Sequence, residues 1–545
     1  MSQIESLFKS YDIRGTYPTI NSKIYYLVAI GFVKTILIPK NMPLKVCVIH
    51  DGRYTSKEFY NATIQGLIDS GAQPVKLGLG STDMLYAACQ LWNTPGVMIT
   101  ASHNPKDDNG IKVVLKPPTM LGLGTGLEYI RDFVITNYEI IDFSNDKIQI
   151  YQSQEVEQAK LLEFFSSKID QIAQSKKVDH TLSQSQKSLK LVVDCGNGMG
   201  GYIMQNIMPQ LYPSLEFVPL YWDVDGNFPN HSPDPQNFDN LKDIQTRISE
   251  TSADGGFAFD GDGDRVFFID ENSKIINGDF LNSIIAKYML EDFESESKYN
   301  KAIVHSHSSS RCFPEQAVNQ AAVSITSAQG HTNIKQKMLQ YNAIYGGEFS
   351  GHHYFADFGF MDSGVIAAAY IIKIMVLKNL QLSDLVKDLN KSYFLSNLVN
   401  LEFSPNIDFE QITTKLKEEF SDADTISTFD GLNIFYPDWK FSLRKSNTEP
   451  KVRLIVESRY KDQTQKRLNQ IKDLLGKSVK LKIFVDKFGN IRCLLGSLIN
   501  LHIFVQNYQY IIRFFSKHNC CIIVGLTSSI SKNLTNLVSK FCVLW

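Results

Sequence analysis

The chain lacks the cysteine pairs of a disulfide scaffold or a zinc site. Its eight cysteines contain no CxxC pair, and only Cys520 and Cys521 are neighbours. This spacing predicts reduced thiols and therefore a cytoplasmic protein. An excess of charge is missing too, because 55 Lys and Arg residues face 57 Asp and Glu residues and leave a formal net charge of −2. Nucleic-acid binders are usually strongly basic, so we expect no nucleic acid among the partners.

Signals for export or for a membrane are also scarce. The first six residues contain no basic region that leads into an apolar core, so we expect no secretory signal. Residues 493–512 lack charged side chains and match a membrane span in length, but Asn500, His502 and Gln506 interrupt the run. We therefore expect no membrane contact and predict that residues 483–545 form a poorly ordered or loosely packed appendage of unknown role.

Short apolar runs alternate with segments of helical spacing along most of the chain. Residues 44–49 and 74–77 read as strands on either side of a helix over 58–70, and a second such series begins with a strand at 189–194. With 545 residues and 43% hydrophobic content, the chain has room for several packed domains. The pattern predicts an α/β fold, whose functional loops lie at the carboxyl ends of strands.

One such loop runs from Thr100 to Lys112, directly after the apolar run 96–99. It is dense in turn-forming residues and carries Ser102 with His103 beside it, so the side chains are expected to be exposed at the strand end. A serine hydroxyl next to an imidazole and a lysine suits a group that is carried covalently. By itself the segment fits an ordinary polar turn equally well.

The sequence Asp260-Gly261-Asp262-Gly263-Asp264-Arg265 follows another short strand. Three carboxylates at alternating positions repel one another unless a cation offsets their charge, and an all-oxygen ligand set favours Mg²⁺ or Ca²⁺. An EF-hand is excluded, because Arg265 stands where that loop needs glycine and strands flank the segment. We predict a metal site at Asp260, Asp262 and Asp264, with a solvated acidic turn as the alternative.

Two further loops carry polar groups suited to a sugar phosphate. The segment 346–353 combines Glu348, Ser350 and His352 with glycines, which suits recognition of hydroxyl groups, and His331 follows another glycine. The segment 439–453 is dense in donors to an anion, and Arg14 in a tight N-terminal turn is another candidate donor. The candidate donors in that segment are Arg444, Ser446, Asn447, Thr448 and Arg453. Together the four loops favour reversible phosphoryl transfer between a serine and a sugar phosphate, which is the small-molecule partner we expect.

The motifs TASHNP, DGDGDR, GEFSGH and RKSNTEP, with YDIRG near the start, occur in the order found in the α-D-phosphohexomutase family. The chain resembles this family over about residues 1–482, and most of all its bacterial-type phosphomannomutase/phosphoglucomutase branch. The resemblance implies three similar α/β domains with mixed sheets and a C-terminal α+β domain around a central cleft. It places a phosphoserine domain at 1–160, a metal-binding domain at 161–275, a sugar-recognition domain at 276–395 and a phosphate-binding domain at 396–482.

The resemblance also implies a role for each matched residue. Ser102 corresponds to the phosphoserine, and its phosphate would supply an oxygen to the metal. Asp260, Asp262 and Asp264 correspond to the Mg²⁺ ligands, and Glu348 with Ser350 to the loop that reads sugar hydroxyls. Arg444, Ser446, Asn447 and Thr448 correspond to the phosphate-binding loop. Arg265, Lys112, His103 and His352 are candidates for charge stabilisation and acid–base help, with His352 as the base. A hexose 1,6-bisphosphate would be the intermediate and activator.

Two positions depart from the family pattern. Ser308 and Ala328 stand where relatives carry basic residues, which predicts weaker binding of a dianionic phosphate and reduced or altered activity. The departures leave open a non-catalytic scaffold that binds sugar phosphates on the same fold. A third reading is an aspartate-nucleophile phosphatase with Asp260 as the phosphorylated residue, but it leaves the serine and RKSNTEP loops unexplained.

Overall fold

The computed structural model describes residues 3–173, 188–402, 409–445 and 451–478, together with the backbone of five later strands. The predicted α/β fold is confirmed: four successive units each build a sheet with helices packed against it, and three of these sheets are mixed. The described helices are labelled α1 to α15 and the strands β1 to β26 in chain order.

The first unit is a six-stranded sheet in the order β1-β5-β4-β2-β3, with β6 paired to β5. Strand β2 runs parallel to β3 and β4, whereas β5 runs antiparallel to β4 and β1. The serine loop follows the carboxyl end of β4. Its elements are β1 (Ile13–Thr16), α1 (Ser22–Gly31), β2 (Lys45–His50), α2 (Ser56–Asp69), β3 (Gln73–Leu79), α3 (Thr82–Trp92), β4 (Gly96–Ile99), β5 (Asp108–Lys116), β6 (Thr119–Met120) and α4 (Leu127–Asn137).

Helix α5 (Glu155–Ala173) connects the first and second units. Its buried residues Leu161, Phe165 and Ile169 recur at the spacing of one helix face, which explains why a charged segment still packs. The boundary predicted at residue 160 falls inside this helix.

The second unit holds a four-stranded sheet in the order β10-β9-β7-β8. Its elements are β7 (Lys190–Asp194), α6 (Met199–Asn206), α7 (Met208–Leu211), β8 (Glu216–Leu220), α8 (Lys242–Thr251), β9 (Gly256–Phe259) and β10 (Val266–Ile269). Helix α6 begins at Met199, inside the glycine-rich segment 195–201. A β-carbon on Gly201 would lie 1.8 Å from the Trp222 carbonyl oxygen, so the glycines allow the helix to lie against a neighbouring loop.

The third unit holds a five-stranded sheet in the order β12-β11-β13-β14-β15, parallel across its first three strands and antiparallel across the others. Its elements are α9 (Gly278–Glu291), β11 (Asn300–Ser306), α10 (Cys312–Asn319), β12 (Val323–Ser327), α11 (His331–Tyr341), β13 (Ala343–Gly347), β14 (His353–Phe355), β15 (Met361–Asp362), α12 (Gly364–Lys378) and α13 (Leu382–Ser392). One hydrophobic cluster runs through the first three units, from Cys47 to Val386. These units therefore pack against one another through a shared hydrophobic core.

The fourth unit is an antiparallel sheet in the order β16-β21-β20-β19-β18, with β17 paired to β21, and it has a separate hydrophobic cluster around Trp439. Its elements are β16 (Phe394–Leu395), β17 (Val399–Glu402), α14 (Phe409–Glu419), β18 (Thr425–Ser427), β19 (Leu432–Phe435), β20 (Trp439–Lys445), β21 (Lys451–Ser458) and α15 (Lys461–Ser478). This is the α+β arrangement that the sequence predicts.

The C-terminal segment, which we predicted to be a poorly ordered or loosely packed appendage, contains regular strands. They form an antiparallel sheet in chain order, because each strand pairs with the next. The strands are β22 (Ile483–Val485), β23 (Ile491–Leu495), β24 (Ile499–Gln506), β25 (Gln509–Phe515) and β26 (Cys520–Gly525). Among the helices that the structure describes, none alone is long and apolar enough to cross a membrane; α12 and α13 together meet that test, with a 98° bend between them.

Candidate active site

Three of the predicted loops meet at the carboxyl ends of their strands. The serine loop (residues 100–108) follows β4, and the acidic loop (260–265) joins β9 to β10. The segment 348–352, called the sugar loop, joins β13 to β14. The acidic loop touches the serine loop at Gly261, where an added β-carbon would lie 2.4 Å from the Ser102 carbonyl oxygen. It also pairs with the sugar loop through a backbone bridge between Arg265 and His352.

Ser102 lies at the centre of this meeting point and is 1% exposed. Its hydroxyl donates a hydrogen bond to Asp260 Oδ2 at 3.0 Å and accepts one from Arg265 Nη2 at 3.1 Å. The Ser102 backbone is left-handed, with φ at +54°, which costs a residue other than glycine on the order of 1–2 kcal/mol and so requires support from its surroundings. The side chain is thus held between an acid and a cation.

Two basic groups line the serine loop on its other sides. Arg14 forms an ion pair with Asp12 and donates to the Ala101 carbonyl oxygen and to Asn104 Oδ1, both at 3.1 Å. The Nδ1 atom of His103 contacts the Arg265 guanidinium, which can only donate, so this nitrogen is an acceptor and the ring is neutral. Burial and the nearby Arg265 lower the pKa of His103 well below 6.5.

The three acidic residues are fully enclosed, and Lys112 offsets part of their charge. Its Nζ atom lies 2.7 Å from Oδ2 of both Asp262 and Asp264. Burial alone would raise the pKa of these two carboxyl groups, but the ammonium group outweighs it and the pKa of each is lowered. Burial and repulsion from its two neighbours raise the pKa of Asp260 well above 3.8.

The acidic loop fits a hard divalent cation. One oxygen from each of the three carboxylates lies within 4.8 Å of the others, and all three residues are buried. The Oδ1 atoms of Asp262 and Asp264 are buried and make no hydrogen bond. Buried carboxylate oxygens of this kind are costly to leave without a ligand, and Mg²⁺ prefers them.

The sugar loop places its polar groups beside the acidic loop. Glu348 accepts hydrogen bonds from the Gly330 backbone at 2.8 Å and from the Tyr354 hydroxyl at 2.7 Å, and burial raises its pKa. The His352 ring lies 3.0 Å from Ser350 Oγ through Nδ1 and 3.7 Å from Asp264 Oδ1 through Nε2. Burial and the cations around it lower the pKa of His352 well below 6.5, so its ring is neutral.

His331 joins the same group, as its sequence position after Gly330 predicts. Its ring stacks on His352 with centroids 6.4 Å apart and packs edge-on against Tyr11 at 5.5 Å. Burial lowers its pKa well below 6.5. The His331 ring therefore contacts both Tyr11 and His352.

Three polar residues at this site were not found by sequence reasoning. The Thr82 hydroxyl donates to Asp262 Oδ2 at 2.6 Å, and the buried Lys335 forms an ion pair with Asp362 Oδ1 at 2.6 Å. Asp362 Oδ2 in turn lies 3.8 Å from His352 Nε2. Lys335 lies four residues after His331 on α11, one helical turn, which is the only local signal that could have found it.

The fourth loop is described only in part. Arg444 is the penultimate residue of β20 and is 8% exposed. It lies opposite Arg453 of β21, so both side chains lie on the same face of the sheet. Arg444 is near enough to Glu348 to act against the effect of burial on its pKa. Ser446, Asn447 and Thr448 lie outside the described residues.

The two departures from the basic pattern lie in the third unit. Ser308 is 8% exposed, and its hydroxyl contacts Ser306 Oγ at 3.1 Å and Gln329 Oε1 at 3.2 Å. Ala328 is half-buried beside Gln329, whose backbone donates to Asp430 Oδ2 at 2.7 Å. The Ser308 hydroxyl therefore contacts neutral polar groups, and a carboxylate lies beside Gln329.

Four family models match successive parts of the chain. They describe the phosphoglucomutase/phosphomannomutase alpha/beta/alpha domains I, II and III, at residues 5–123, 168–274 and 277–393, and the C-terminal domain, at residues 398–474. The chain is 32% identical over 471 residues to a phosphomannomutase of Escherichia coli, a match that covers 84% of this chain and 96% of that protein.

Solved structures agree with these matches. A phosphoglucomutase/phosphomannomutase family protein of Burkholderia thailandensis superposes with a TM-score of 0.71 at 26% identity and covers 87% of this chain and 98% of its own. An N-acetylphosphoglucosamine mutase of Aspergillus fumigatus, solved with GlcNAc-6P and magnesium, shares the fold at a TM-score of 0.53 and 13% identity, over 88% of this chain and 99% of its own.

Proposed function

The chain belongs to the phosphoglucomutase/phosphomannomutase family and is an isomerase of the phosphohexomutase class, and from this premise we propose its substrate and mechanism. It interconverts hexose 1-phosphate and hexose 6-phosphate through a phosphorylated Ser102, with mannose as the preferred sugar and glucose as the second. The observation that carries the proposal is the Ser102 hydroxyl held between Asp260 at 3.0 Å and Arg265 at 3.1 Å.

The serine is the group that gives and takes the phosphoryl group. In the first half of the reaction the bond between phosphorus and Ser102 Oγ breaks and a bond to a sugar hydroxyl oxygen forms, which yields a hexose 1,6-bisphosphate. The proton of that hydroxyl passes to a base, and His352 is our candidate because its Nδ1 atom lies 3.0 Å from Ser350 Oγ, in the loop proposed to recognise the sugar hydroxyls. In the second half the other phosphate of the bisphosphate passes to Ser102 and the proton returns to the sugar oxygen.

The cations around Ser102 stabilise the transferred phosphoryl group. Arg265 donates to Ser102 Oγ, and Arg14 lies against the same loop at the Ala101 carbonyl. Guanidinium groups so placed bind the oxygens among which the negative charge is spread during transfer. Lys112 keeps Asp262 and Asp264 ionised, which is the state in which they bind a metal.

Asp260, Asp262 and Asp264 would hold Mg²⁺, and their open Oδ1 atoms at positions 262 and 264 support this assignment. When bound, Mg²⁺ neutralises charge on the phosphoryl oxygens and polarises the phosphorus centre. The protein contributes a buried, shaped set of oxygens, with Thr82 fixing the orientation of Asp262.

The remaining residues recognise the sugar and its second phosphate. Glu348 accepts hydrogen bonds from sugar hydroxyls, and Ser350 donates to them or accepts from them. His331 packs behind these residues, against His352. Arg444 binds the phosphate that is not being transferred, together with Arg453 and the hydroxyl and amide groups of Ser446, Asn447 and Thr448. The bisphosphate must reorient between the two half-reactions, so that each of its phosphates faces Ser102 in turn. One anion site distant from Ser102 then binds the other phosphate in both orientations.

A coupled assay with mannose 1-phosphate and with glucose 1-phosphate, Mg²⁺ and a catalytic amount of glucose 1,6-bisphosphate tests the proposal. We expect turnover with both sugars, and intact mass spectrometry should show one acid-stable, base-labile phosphate that S102A removes. The matched control S421A changes an exposed serine and should keep both turnover and the phosphate. An acid-labile phosphate would instead identify Asp260 as the nucleophile, and no product from either sugar would indicate a non-catalytic protein.

A further inference from the structure

Arg53 is a buried arginine that the mechanism above does not use. It follows β2 in the loop 51–55, and its side chain is 0% exposed. Its two terminal nitrogens donate to four backbone carbonyls of the serine loop. These acceptors are the oxygens of Ser102 and Asn104, both at 2.7 Å from Nη2, and of Pro105 at 2.6 Å and Asp108 at 2.9 Å from Nη1. One guanidinium therefore replaces the regular hydrogen bonding that this loop lacks.

The guanidinium is itself fixed from two sides. Asp51 accepts a hydrogen bond from Arg53 Nε at 3.2 Å and another from the Arg53 backbone at 3.1 Å. The ring of Phe228, in the irregular loop of the second unit, lies 5.2 Å from the Arg53 guanidinium carbon. A β-carbon on Gly226 would lie 2.5 Å from the Arg53 α-carbon, so the two units touch backbone to backbone at this point.

We propose that Arg53 is a positioning residue for phosphoryl transfer: it fixes the Ser102 carbonyl and the turn around it, and so aims the Ser102 hydroxyl at Asp260. The inference rests on the proposed role of Ser102 as phosphoryl carrier. It accounts for the left-handed backbone of Ser102, which needs support that four directed hydrogen bonds supply. Phe228 and Gly226 belong to the second unit, which also carries the acidic loop. Through their contacts with Arg53, the second unit sets the position of the serine loop in the first unit.

Lysine cannot replace Arg53 in this role. A planar guanidinium presents its donors in a fixed fork, whereas an ammonium is a point charge with three rotatable donors. Arg53→Lys therefore keeps the charge beside Asp51 but loses the simultaneous contact with the carbonyls of Ser102 and Asp108. A loss of rate in R53K therefore indicates a positioning role, because lysine would preserve a purely electrostatic one.

The experiment compares R53K, R53M and F228L with the unchanged protein. The first readout is steady-state turnover of mannose 1-phosphate; the second is single-turnover transfer from phosphorylated Ser102 to the sugar, followed by intact mass. Misplacement of a reacting group by about 1 Å costs about 100-fold in rate, so we expect R53M to lower kcat by about that factor and R53K by about 10-fold, with KM for the sugar phosphate within about 2-fold. F228L keeps all four hydrogen bonds and should lower the single-turnover rate by about 3-fold.

The control R311K changes another arginine that donates to backbone carbonyls, those of Pro437 and Trp439, but away from the serine loop. It should lower the melting temperature without lowering the single-turnover rate. Single-turnover rates of R53K and F228L equal to that of the unchanged protein would overturn the inference, as would a loss confined to KM. If the unchanged protein neither turns over a hexose phosphate nor takes a phosphate on Ser102 from the bisphosphate, the proposed function fails and the inference falls with it.

Discussion

Gly261 and Ser102 touch across the boundary between the first two units, and a β-carbon on Gly261 would lie 2.4 Å from the Ser102 carbonyl oxygen. The contact sets the distance between the serine and the acidic loop. We predict that Gly261→Ala pushes the two loops apart, because the atom it meets is backbone and cannot rotate away. The expected result is a fall in kcat of about 10- to 100-fold, measured with mannose 1-phosphate at saturating Mg²⁺.

Gly71→Ala is the matched control for this substitution. Gly71 has φ at +87°, and nothing lies within 4 Å of an added β-carbon there. The control introduces backbone strain far from Ser102, so it should lower the melting temperature and leave kcat unchanged. Equal kcat for Gly261→Ala and the unchanged protein would show that the contact does not set the geometry of the site.

The local chemistry of two loops carries much of the site, and for this reason it could be predicted from the sequence. The acidic residues at 260, 262 and 264 and the serine at 102 each stand in a short segment at a strand end, where residue type and spacing restrict what the side chains can do. Pairs that form only on folding could not be predicted. Arg53 meets the serine loop 49 to 55 positions later in the chain, and Thr82 meets Asp262 180 positions later.

The fold was predictable to a similar extent, and its errors have physical causes. Strands β2 and β4 were placed within one residue, because their apolar runs are short and end in turn-forming residues. The start of α6 at Met199 cannot be predicted from the local sequence, because glycine usually interrupts helices, whereas here Gly200 and Gly201 allow close packing against Phe259 and Trp222. The strands from Ile483 onward were missed because the uncharged run 493–512 matches a membrane span in length, which hides the apolar–polar alternation from Ile499 to Ile503.

The open oxygens of the acidic loop give a prediction about metal affinity. Asp262→Asn removes a charge and one carboxylate oxygen from the group of three. We expect the Mg²⁺ concentration for half-maximal activity to rise by about 10- to 100-fold. Isothermal titration with Mg²⁺ checks this without turnover, and the control Asp254→Asn changes a buried carboxylate that accepts from the Lys190 backbone instead. Unchanged Mg²⁺ affinity in Asp262→Asn would argue against the assigned ligands.

The buried hydroxyl of Ser308 gives a prediction about substrate binding. Ser308→Lys places a cation beside Gln329, at one of the two positions where the family resemblance implies a basic residue. A charge-assisted hydrogen bond contributes about 1.5–3 kcal/mol, so KM for mannose 1-phosphate should fall by about 10-fold or more. Ser308→Met has a similar length and no charge, and it should leave KM unchanged or raise it. Equal KM values for the Lys and Met variants would show that no phosphate approaches this position.

The protein should become more stable as the pH falls from 7 to 5 through the protonation of Asp279, which lies on α9 of the third unit. Asp279 is fully buried, accepts a hydrogen bond from the Ser310 backbone at 2.7 Å, and has its pKa raised by burial from 3.8 to about 6. A carboxyl group whose pKa is higher in the folded than in the unfolded protein binds a proton on folding, so its contribution favours the folded state below about pH 4 and is lost as the pH rises through 6. Asp279→Asn is neutral at every pH, so the melting temperature of this variant minus that of the unchanged protein should be larger at pH 7.5 than at pH 5.

Differential scanning calorimetry measures both melting temperatures. The control Asp424→Asn, at an exposed carboxylate, should give the same difference at the two pH values. A difference for Asp279→Asn that does not change with pH would mean that Asp279 is ionised in the folded protein throughout this range.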